Sequence, residues 1–219
     1  IFAAWKSEKP ILVHAEGMQL AGAIALAYFY QRRLHICHIS QISEVVLVRL
    51  AKKKNVQITA GVTPHHLFLT EKDIKKLGSF ALMKPLLGIK KDQDALWQGL
   101  DDGTIDLVET DHAPHTKEEK RSEKPPFGVP GLETALGLLL KAVHEKRLNM
   151  SDVVRLLYDS PKKIFHIPNQ PSTYVELDPT KEYCIGADGY QSKCGWSPFD
   201  GWTAFGKPER VVISGKQVL

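Results

Sequence analysis

Three short apolar runs in this sequence each lead into a residue that can bind a metal ion or move a proton. Short apolar runs of this kind are typical of buried β-strands. Because the carboxyl ends of parallel strands meet at one edge of a sheet, the residues that follow them would share one site. The runs are 11–13, 34–37 and 105–108, and the residues that follow them are His14, His38 and Asp111.

Strand and helix patterns alternate along residues 1–167, which predicts a parallel sheet with right-handed crossovers. Ligand-type residues at strand ends fit either a doubly wound sheet or a (β/α)8 barrel. No Gly-x-Gly-x-x-Gly motif follows a strand, so a dinucleotide site is disfavoured and the barrel is preferred. The pattern holds about four strand–helix units, which is half of the eight in such a barrel. The expected fold class is therefore α/β, the C-terminal half of a (β/α)8 barrel.

The sequence pattern changes after residue 167, and residues 168–219 are expected to form a small β appendage. Its predicted strands are 173–177, 183–185 and 210–216, with the last turn at 214–216. The preceding half-barrel is expected to contain helices 17–32, 44–54, 71–77, 92–100, 131–146 and 151–158, a short helix opened by Pro161, and a loop over 117–130.

Composition excludes several classes of function. The net charge of +4 comes from scattered lysine pairs without interleaved aromatic residues, so we expect no nucleic-acid partner. The most apolar segment, 20–30, is about half the length of a membrane span, so no membrane association is expected. Cys37, Cys184 and Cys194 show no paired spacing, which favours a reducing, cytoplasmic location.

The residues at the strand ends indicate metal-dependent hydrolysis. A single histidine at a strand end is more often a core residue satisfied by backbone carbonyls. Two such histidines followed by Asp111 favour zinc, which binds imidazole and carboxylate. A metal-bound water ionises near neutral pH and attacks a carbonyl, while a carboxylate takes and returns its proton. Asp111 is suited to both tasks, ligand and base.

At these residues the chain resembles the cyclic amidohydrolases, and within them the dihydroorotase family. The resemblance covers nearly the whole chain. Two of its motifs, Asp-His-Ala-Pro-His and Gly-Leu-Glu-Thr, are together specific for dihydroorotases and their allantoinase-like neighbours. Segments 171–177 and 196–199 look closest to the dihydroorotase domain of multifunctional animal pyrimidine-synthesis proteins. The matching segments are 13–16, 35–38, 63–67, 110–116, 126–134 and 160–165.

The resemblance implies a binuclear zinc centre in a (β/α)8 barrel. His14 and His38 would ligate one zinc ion, while Asp111 would contact the other and carry the proton. The implied reaction is the reversible interconversion of carbamoyl-aspartate and dihydroorotate in pyrimidine biosynthesis. His115 and the backbone of Phe127 and Gly128 would line the pocket for this small-molecule substrate.

Several features depart from the family pattern. The His-x-His pair of the first barrel strand and the bridging lysine are absent, and the chain opens on Ile1, so we expect a C-terminal fragment that is inactive alone. Gly61 stands where relatives often carry glutamate. Lys84 stands where the family places a substrate-facing arginine or asparagine, and it would meet a carboxylate as a point charge.

Two alternatives stay open at this stage. One is a related amidase, such as an allantoinase or hydantoinase. The other is a catalytically silent homologue that scaffolds a partner such as aspartate transcarbamoylase, and homo-oligomerisation is also compatible with the sequence.

The remaining candidates are expected to be structural. His65 and His66 would belong to a loop, Cys37 would be a small buried hydrophobe, and Glu133 would favour a helix dipole. The aromatic residues of 196–202 would pack the appendage, and the other histidines assigned structural roles are His112, His144 and His166.

Overall fold

The computed structural model describes residues 1–219, and its central feature is a four-stranded parallel sheet in the order β1-β2-β3-β4. The register pairs Val13 with Ile36 and Val62 with Val108, so the carboxyl ends of the strands lie at one edge. The predicted parallel α/β arrangement is confirmed. The strands are β1 (Ile11–Val13), β2 (Leu34–Ile36), β3 (Ile58–Val62) and β4 (Leu107–Val108).

Helices connect the strands and cover the outer face of the sheet. They bury one continuous apolar core, which includes Leu34 and Ile36 of β2. No helix is long and apolar enough to cross a membrane. The helices are α1 (Gly17–Phe29), α2 (Ile42–Lys53), α3 (Pro64–Phe68), α4 (Ile74–Leu77), α5 (Lys90–Asp101), α6 (Lys117–Lys120), α7 (Ala135–His144), α8 (Met150–Val154) and α9 (Ser160–Phe165).

Two predicted boundaries differ from the structure for local reasons. The predicted loop 117–130 contains α6, a single helical turn that begins with a capping box between Thr116 and Glu119. The helix predicted from residue 131 begins at Ala135; residues 132–134 form a turn before it, and the N–H groups of Gly131 and Leu132 donate to Nδ1 of His112.

The segment from α8 to α9 is continuous, with one wider π-helical turn at Arg155–Asp159 between them. Pro161, near the start of α9, has no N–H to donate to the preceding turn, and such prolines are commonly accommodated by local unwinding. The helix predicted over 151–158 begins one residue earlier, as α8, and its N-cap is Asn149, whose side chain accepts from the N–H of Asp152.

The C-terminal residues form two small antiparallel sheets, with the order β5-β8-β9 in one and β6-β7 in the other. A two-residue turn at Ser214 and Gly215, both with positive φ, joins β8 to β9 as predicted. The boundary at 167/168 stays a prediction. The strands are β5 (Tyr174–Leu177), β6 (Glu182–Cys184), β7 (Thr203–Phe205), β8 (Pro208–Ile213) and β9 (Lys216–Gln217).

A second apolar cluster joins these small sheets to the loops at the carboxyl end of the parallel sheet. Trp196 and Phe199 are almost fully buried in it, against Met83 and Leu138 from the helical part of the chain. The aromatic residues of the appendage are therefore packing residues, as predicted. Their position brings the appendage directly under the loops that carry the candidate substrate residues.

The core between α2 and the sheet provides a test of this packing. Val48 is fully buried, whereas Val46 on the same helix is largely exposed. Val48→Ala should lower the free energy of unfolding by about 2 kcal/mol through lost burial and the cavity left behind. Denaturant unfolding measures this, and Val46→Ala is the control, expected to change stability by less than about 0.5 kcal/mol. Equal effects at the two positions would contradict the assigned face of α2.

Candidate active site

Two predicted metal ligands, His14 and His38, are in direct contact at the carboxyl ends of β1 and β2. Nδ1 of His14 lies 2.7 Å from Nε2 of His38, and the rings meet edge to face with centroids 4.4 Å apart. His38 adopts a positive φ of 41°, a conformation that is uncommon for a residue with a side chain. Its Nδ1 is buried without a hydrogen-bond partner. The sheet therefore brings the two imidazoles together and leaves one ring nitrogen available.

Glu109, which the sequence analysis did not single out, holds the backbone beside this pair. Its Oε1 accepts a hydrogen bond from the N–H of His38 at 2.5 Å. Its Oε2 lies 3.6 Å from Nε2 of His35, a fully buried side chain on β2. The carboxylate thus reaches from the end of β4 to the end of β2. Its position two residues before Asp111, on the same strand exit, was the available sequence signal.

Gly61 on β3 provides the space that Glu109 occupies. A Cβ atom built at Gly61 would lie 2.2 Å from Oε1 of Glu109 and 2.9 Å from Cδ1 of Leu107. No side chain fits there while the carboxylate keeps this position. Position 61 carries no carboxylate, and the space beside it is occupied by the carboxylate of Glu109 from the end of the neighbouring strand.

The carboxylate of Glu109 is one of a group of three potential metal ligands. The ligand atoms of His35, Cys37 and Glu109 all lie within 4.8 Å of one another. Nδ1 of His35 is 2.8 Å from the hydroxyl of Thr59, and its Nε2 has no hydrogen-bond partner. Burial raises the pKa of Cys37 to about 12, with further contributions from the negative charges of Glu109 and Asp111. A cation would offset this negative charge and favour the thiolate.

His65 and His66 lie behind the pair, at the start of α3, and both are buried. Because the carbonyl of Pro85 can only accept, Nε2 of His66 donates to it, and Nδ1 accepts from the hydroxyl of Thr63. Burial lowers the pKa of His66 to about 4, and burial with nearby His66 and His38 lowers that of His65. The predicted loop position of the two histidines is therefore wrong, because they belong to α3. Both ring nitrogens of His66 are paired, while Nε2 of His65 has no partner.

Asp111 follows β4 and has an exposed side chain. Its positive φ of 43° turns the chain sharply after the strand. Its charge raises the pKa of Cys37, which follows β2, so the carboxylate stands on the same edge of the sheet as the histidine pair. Its assignment as ligand and base stays a prediction.

The four predicted substrate residues come from loops that contact one another. Nε2 of His115 donates to the carbonyl of Phe127 at 3.1 Å. Gly128 has a φ of 127° and approaches Ala113 so closely that a Cβ would lie 2.7 Å from the Ala113 carbonyl oxygen. The N–H of Gly128 donates to Leu82, two residues before the exposed Lys84. The structure therefore gathers these residues in one neighbourhood, and their roles toward a substrate stay predictions.

The close approach of Gly61 and Glu109 is testable by a double-mutant cycle. Gly61→Ala should displace the carboxylate, deprive the His38 N–H of its acceptor, and lower the free energy of unfolding by about 2 kcal/mol. In the Glu109→Ala background the same change should cost less, with a coupling of about 1 kcal/mol or more. Denaturant unfolding of the four proteins measures this.

Gly22→Ala in α1 is the matched control for this cycle, because a Cβ there meets no atom within 4 Å. It should be neutral or stabilising, since alanine favours a helix over glycine. Additive effects of Gly61→Ala and Glu109→Ala would contradict the contact.

Comparisons with known proteins place the chain. No protein-family model matches it. It is 46% identical, over 98% of its length, to 10% of the multifunctional protein CAD of Squalus acanthias. It is 40% identical, over 93% of its length, to half of the dihydroorotase of Anoxybacillus flavithermus. The chain thus spans about half the length of the bacterial dihydroorotases that it matches.

Solved structures give the fold. The inactive dihydroorotase-like domain of a CAD-like multifunctional protein from Chaetomium thermophilum superposes with a TM-score of 0.82 and 30% identity, over 99% of this chain and 60% of that one. L-hydantoinase from Arthrobacter aurescens superposes with a TM-score of 0.85 and 26% identity, over 91% of this chain and 47% of that one.

The parallel sheet, with histidines and carboxylates at its strand ends, is the C-terminal half of the (β/α)8 barrel of a cyclic amidohydrolase. Within that superfamily, the chain is similar to the dihydroorotases, and it covers about half the length of the bacterial ones. The predicted fold class and the resemblance to dihydroorotases are both confirmed.

Proposed function

We propose that this chain supplies half of the active site of a dihydroorotase, which interconverts dihydroorotate and carbamoyl-aspartate. In the hydrolytic direction, water adds to the cyclic amide carbonyl and the ring C–N bond breaks, with the proton passing to the nitrogen. The observation that carries this proposal is the contact of His14 with His38 at the strand ends, beside the carboxylate of Glu109. The similarity of the chain to dihydroorotases supports the choice of substrate.

The donor set fits a divalent cation, and zinc is the ion that we propose. His14 and His38 would hold one ion, as neutral imidazoles suit zinc, and Asp111 would contact a second. The unpartnered Nδ1 of His38 and Nε2 of His35 are buried polar atoms that favour a cation nearby. When bound, zinc supplies a Lewis acid that polarises the amide carbonyl.

The remaining steps belong to side chains of this chain. Asp111, exposed at the strand edge, would accept the proton of the attacking water and return it to the leaving nitrogen. Lys84, with its exposed ammonium, would meet the substrate carboxylate as a point charge. His115 and the loop that carries Phe127 and Gly128 would form the wall of the pocket, since they are already linked by a hydrogen bond.

A catalytically silent scaffold is the second candidate, favoured by one observation. The Chaetomium thermophilum domain that superposes on this chain is described as inactive. In that case the protein would associate with other pyrimidine-synthesis domains, such as aspartate transcarbamoylase. Under either proposal we place the protein in the cytoplasm, since its three cysteines are free.

Metal content tests the ligand assignment independently of activity. His14→Ala and His38→Ala should each reduce bound zinc in the full-length natural protein that carries this sequence, because each removes a ligand of the same ion. Elemental analysis after dialysis against trace zinc measures the stoichiometry. His144→Ala is the control, since this exposed ring stacks on Phe205 and should leave the zinc content unchanged. Wild-type stoichiometry in both strand-end variants would assign the two histidines to the core.

Turnover tests the reaction and the base together. Asp111→Asn keeps the shape of the side chain but removes the proton acceptor, so ring closure of carbamoyl-aspartate should slow by about 10²–10⁴-fold in the full-length protein. Hydantoin and allantoin are the competing substrates, and faster turnover of either would favour the related amidases. The 219-residue chain alone is expected to be inactive. A variant that keeps a tenth or more of the parent rate would contradict the role of Asp111 as the base. A parent without turnover would favour the silent scaffold.

A further inference from the structure

Lys120 is fully buried although it lies on α6, a single turn in an otherwise charged and exposed loop. All three N–H bonds of its ammonium are used by backbone carbonyls. Nζ donates to Leu82 at 2.9 Å, to Pro126 at 2.9 Å and to Gly128 at 3.0 Å. The indole ring of Trp196 lies 5.8 Å away on another side. An ammonium satisfied only by main-chain oxygens in this way is an uncommon use of lysine.

Burial makes this arrangement costly. It lowers the pKa of Lys120 to about 8, because the charged form is removed from water without a carboxylate to offset the loss. A methionine of similar length would fill the same space without that cost. It would leave the carbonyls of Pro126 and Gly128 without this donor, and the Leu82 carbonyl with the Gly128 N–H alone. The explanation for the buried charge of Lys120 therefore lies in the parts of the chain to which the three carbonyls belong.

The carbonyls come from the two loops that carry candidate substrate residues. Leu82 lies two residues before Lys84, and Pro126 and Gly128 flank Phe127 on either side. Phe127 itself is half exposed, with its ring at the surface of the loop. The ammonium thus contacts the backbone around these side chains and leaves the side chains themselves free to meet a ligand.

His115, in the segment after β4, and Trp196 of the appendage are linked to the Phe127 loop by hydrogen bonds. The carbonyl of Phe127 accepts from Nε2 of His115, and the carbonyl of His115 accepts from the indole N–H of Trp196 at 2.7 Å. Trp196 packs edge to face on Phe80, two residues before Leu82. The loop at Leu82, the segment after β4 and the appendage therefore meet around Lys120 and Trp196.

We propose that Lys120 is the positioning residue of the substrate pocket, whose ammonium fixes the distance between the Lys84 loop and the Phe127 loop. This inference rests on the proposed dihydroorotase function for its substrate. A tetrahedral ammonium directs three donors to three carbonyls at once, and the planar fork of arginine does not reproduce that geometry. The role is binding of the substrate rather than the chemical step, because no atom of Lys120 reaches the surface.

The first test compares Lys120→Met and Lys120→Arg with Lys117→Met in the full-length natural protein. Lys117 lies on the same turn with a partly exposed side chain, so it is a matched control. KM for carbamoyl-aspartate should rise by about tenfold or more in both Lys120 variants, with kcat changed by less than about threefold and zinc content unchanged. The control should keep the parent KM. Where Lys120→Met does not fold, Lys120→Arg carries the same measurements.

A loss of folded protein with a normal KM in the remainder would overturn the proposal, since a purely structural lysine gives that result. Equal falls in kcat and kcat/KM with an unchanged KM would also overturn it, because they would place Lys120 in the chemical step.

Limited trypsin digestion keeps the proposal testable if the protein has no turnover. The exposed Arg121–Ser122 bond lies next to Lys120, at the start of the segment that its ammonium closes onto Pro126. Cleavage there should be about tenfold faster in Lys120→Met or Lys120→Arg than in Lys117→Met, because the loop is no longer tied at its far end. Equal cleavage rates would overturn the proposed positioning role of Lys120, whether or not the protein is an enzyme.

Discussion

The hydrogen bond from the His38 N–H to the Glu109 carboxylate joins the ends of two strands that are not neighbours in the sheet. It passes over Gly61 on the strand between them, and that strand can carry no side chain at this point. His38 takes a left-handed conformation immediately beside it, which places its ring against His14. The geometry of the candidate metal centre therefore depends on the carboxylate of Glu109, which lies just before the Asp-His-Ala-Pro-His motif and outside it.

The sequence was sufficient for features encoded locally. Apolar runs followed by His14, His38 and Asp111 predicted parallel strands with their ends at one edge, and the register of the sheet agrees. Features that depend on distant contacts were missed. Glu109 meets His38 across 71 residues, and Lys120 meets Leu82 across 38, so neither partner is visible in a pattern that spans a few positions. The contacts of His112 with the N–H groups of Gly131 and Leu132 span 19 and 20 residues and were missed for the same reason.

Two charged side chains support the candidate site, the partly buried Glu109 and the fully buried Lys120. Glu109 lies among the potential ligands His35 and Cys37, where a cation would balance it. Lys120 lies among backbone carbonyls, where its own charge orders the chain. The group around Glu109 is suited to binding a cation, and the group around Lys120 is suited to holding the loops in place. The C-terminal appendage contributes to the second through Trp196, so it would take part in forming the proposed pocket wall.

The exclusion between Gly61 and Glu109 also bears on how such a site changes in evolution. A carboxylate at position 61 and a carboxylate at position 109 would each bring negative charge to the space between these strand ends, and the two side chains compete for it. A single substitution does not connect them: adding a side chain at 61 first produces a clash, and removing Glu109 first leaves the His38 N–H without an acceptor. The two arrangements are thus separated by an unfavourable intermediate, and lineages that adopt one would tend to retain it.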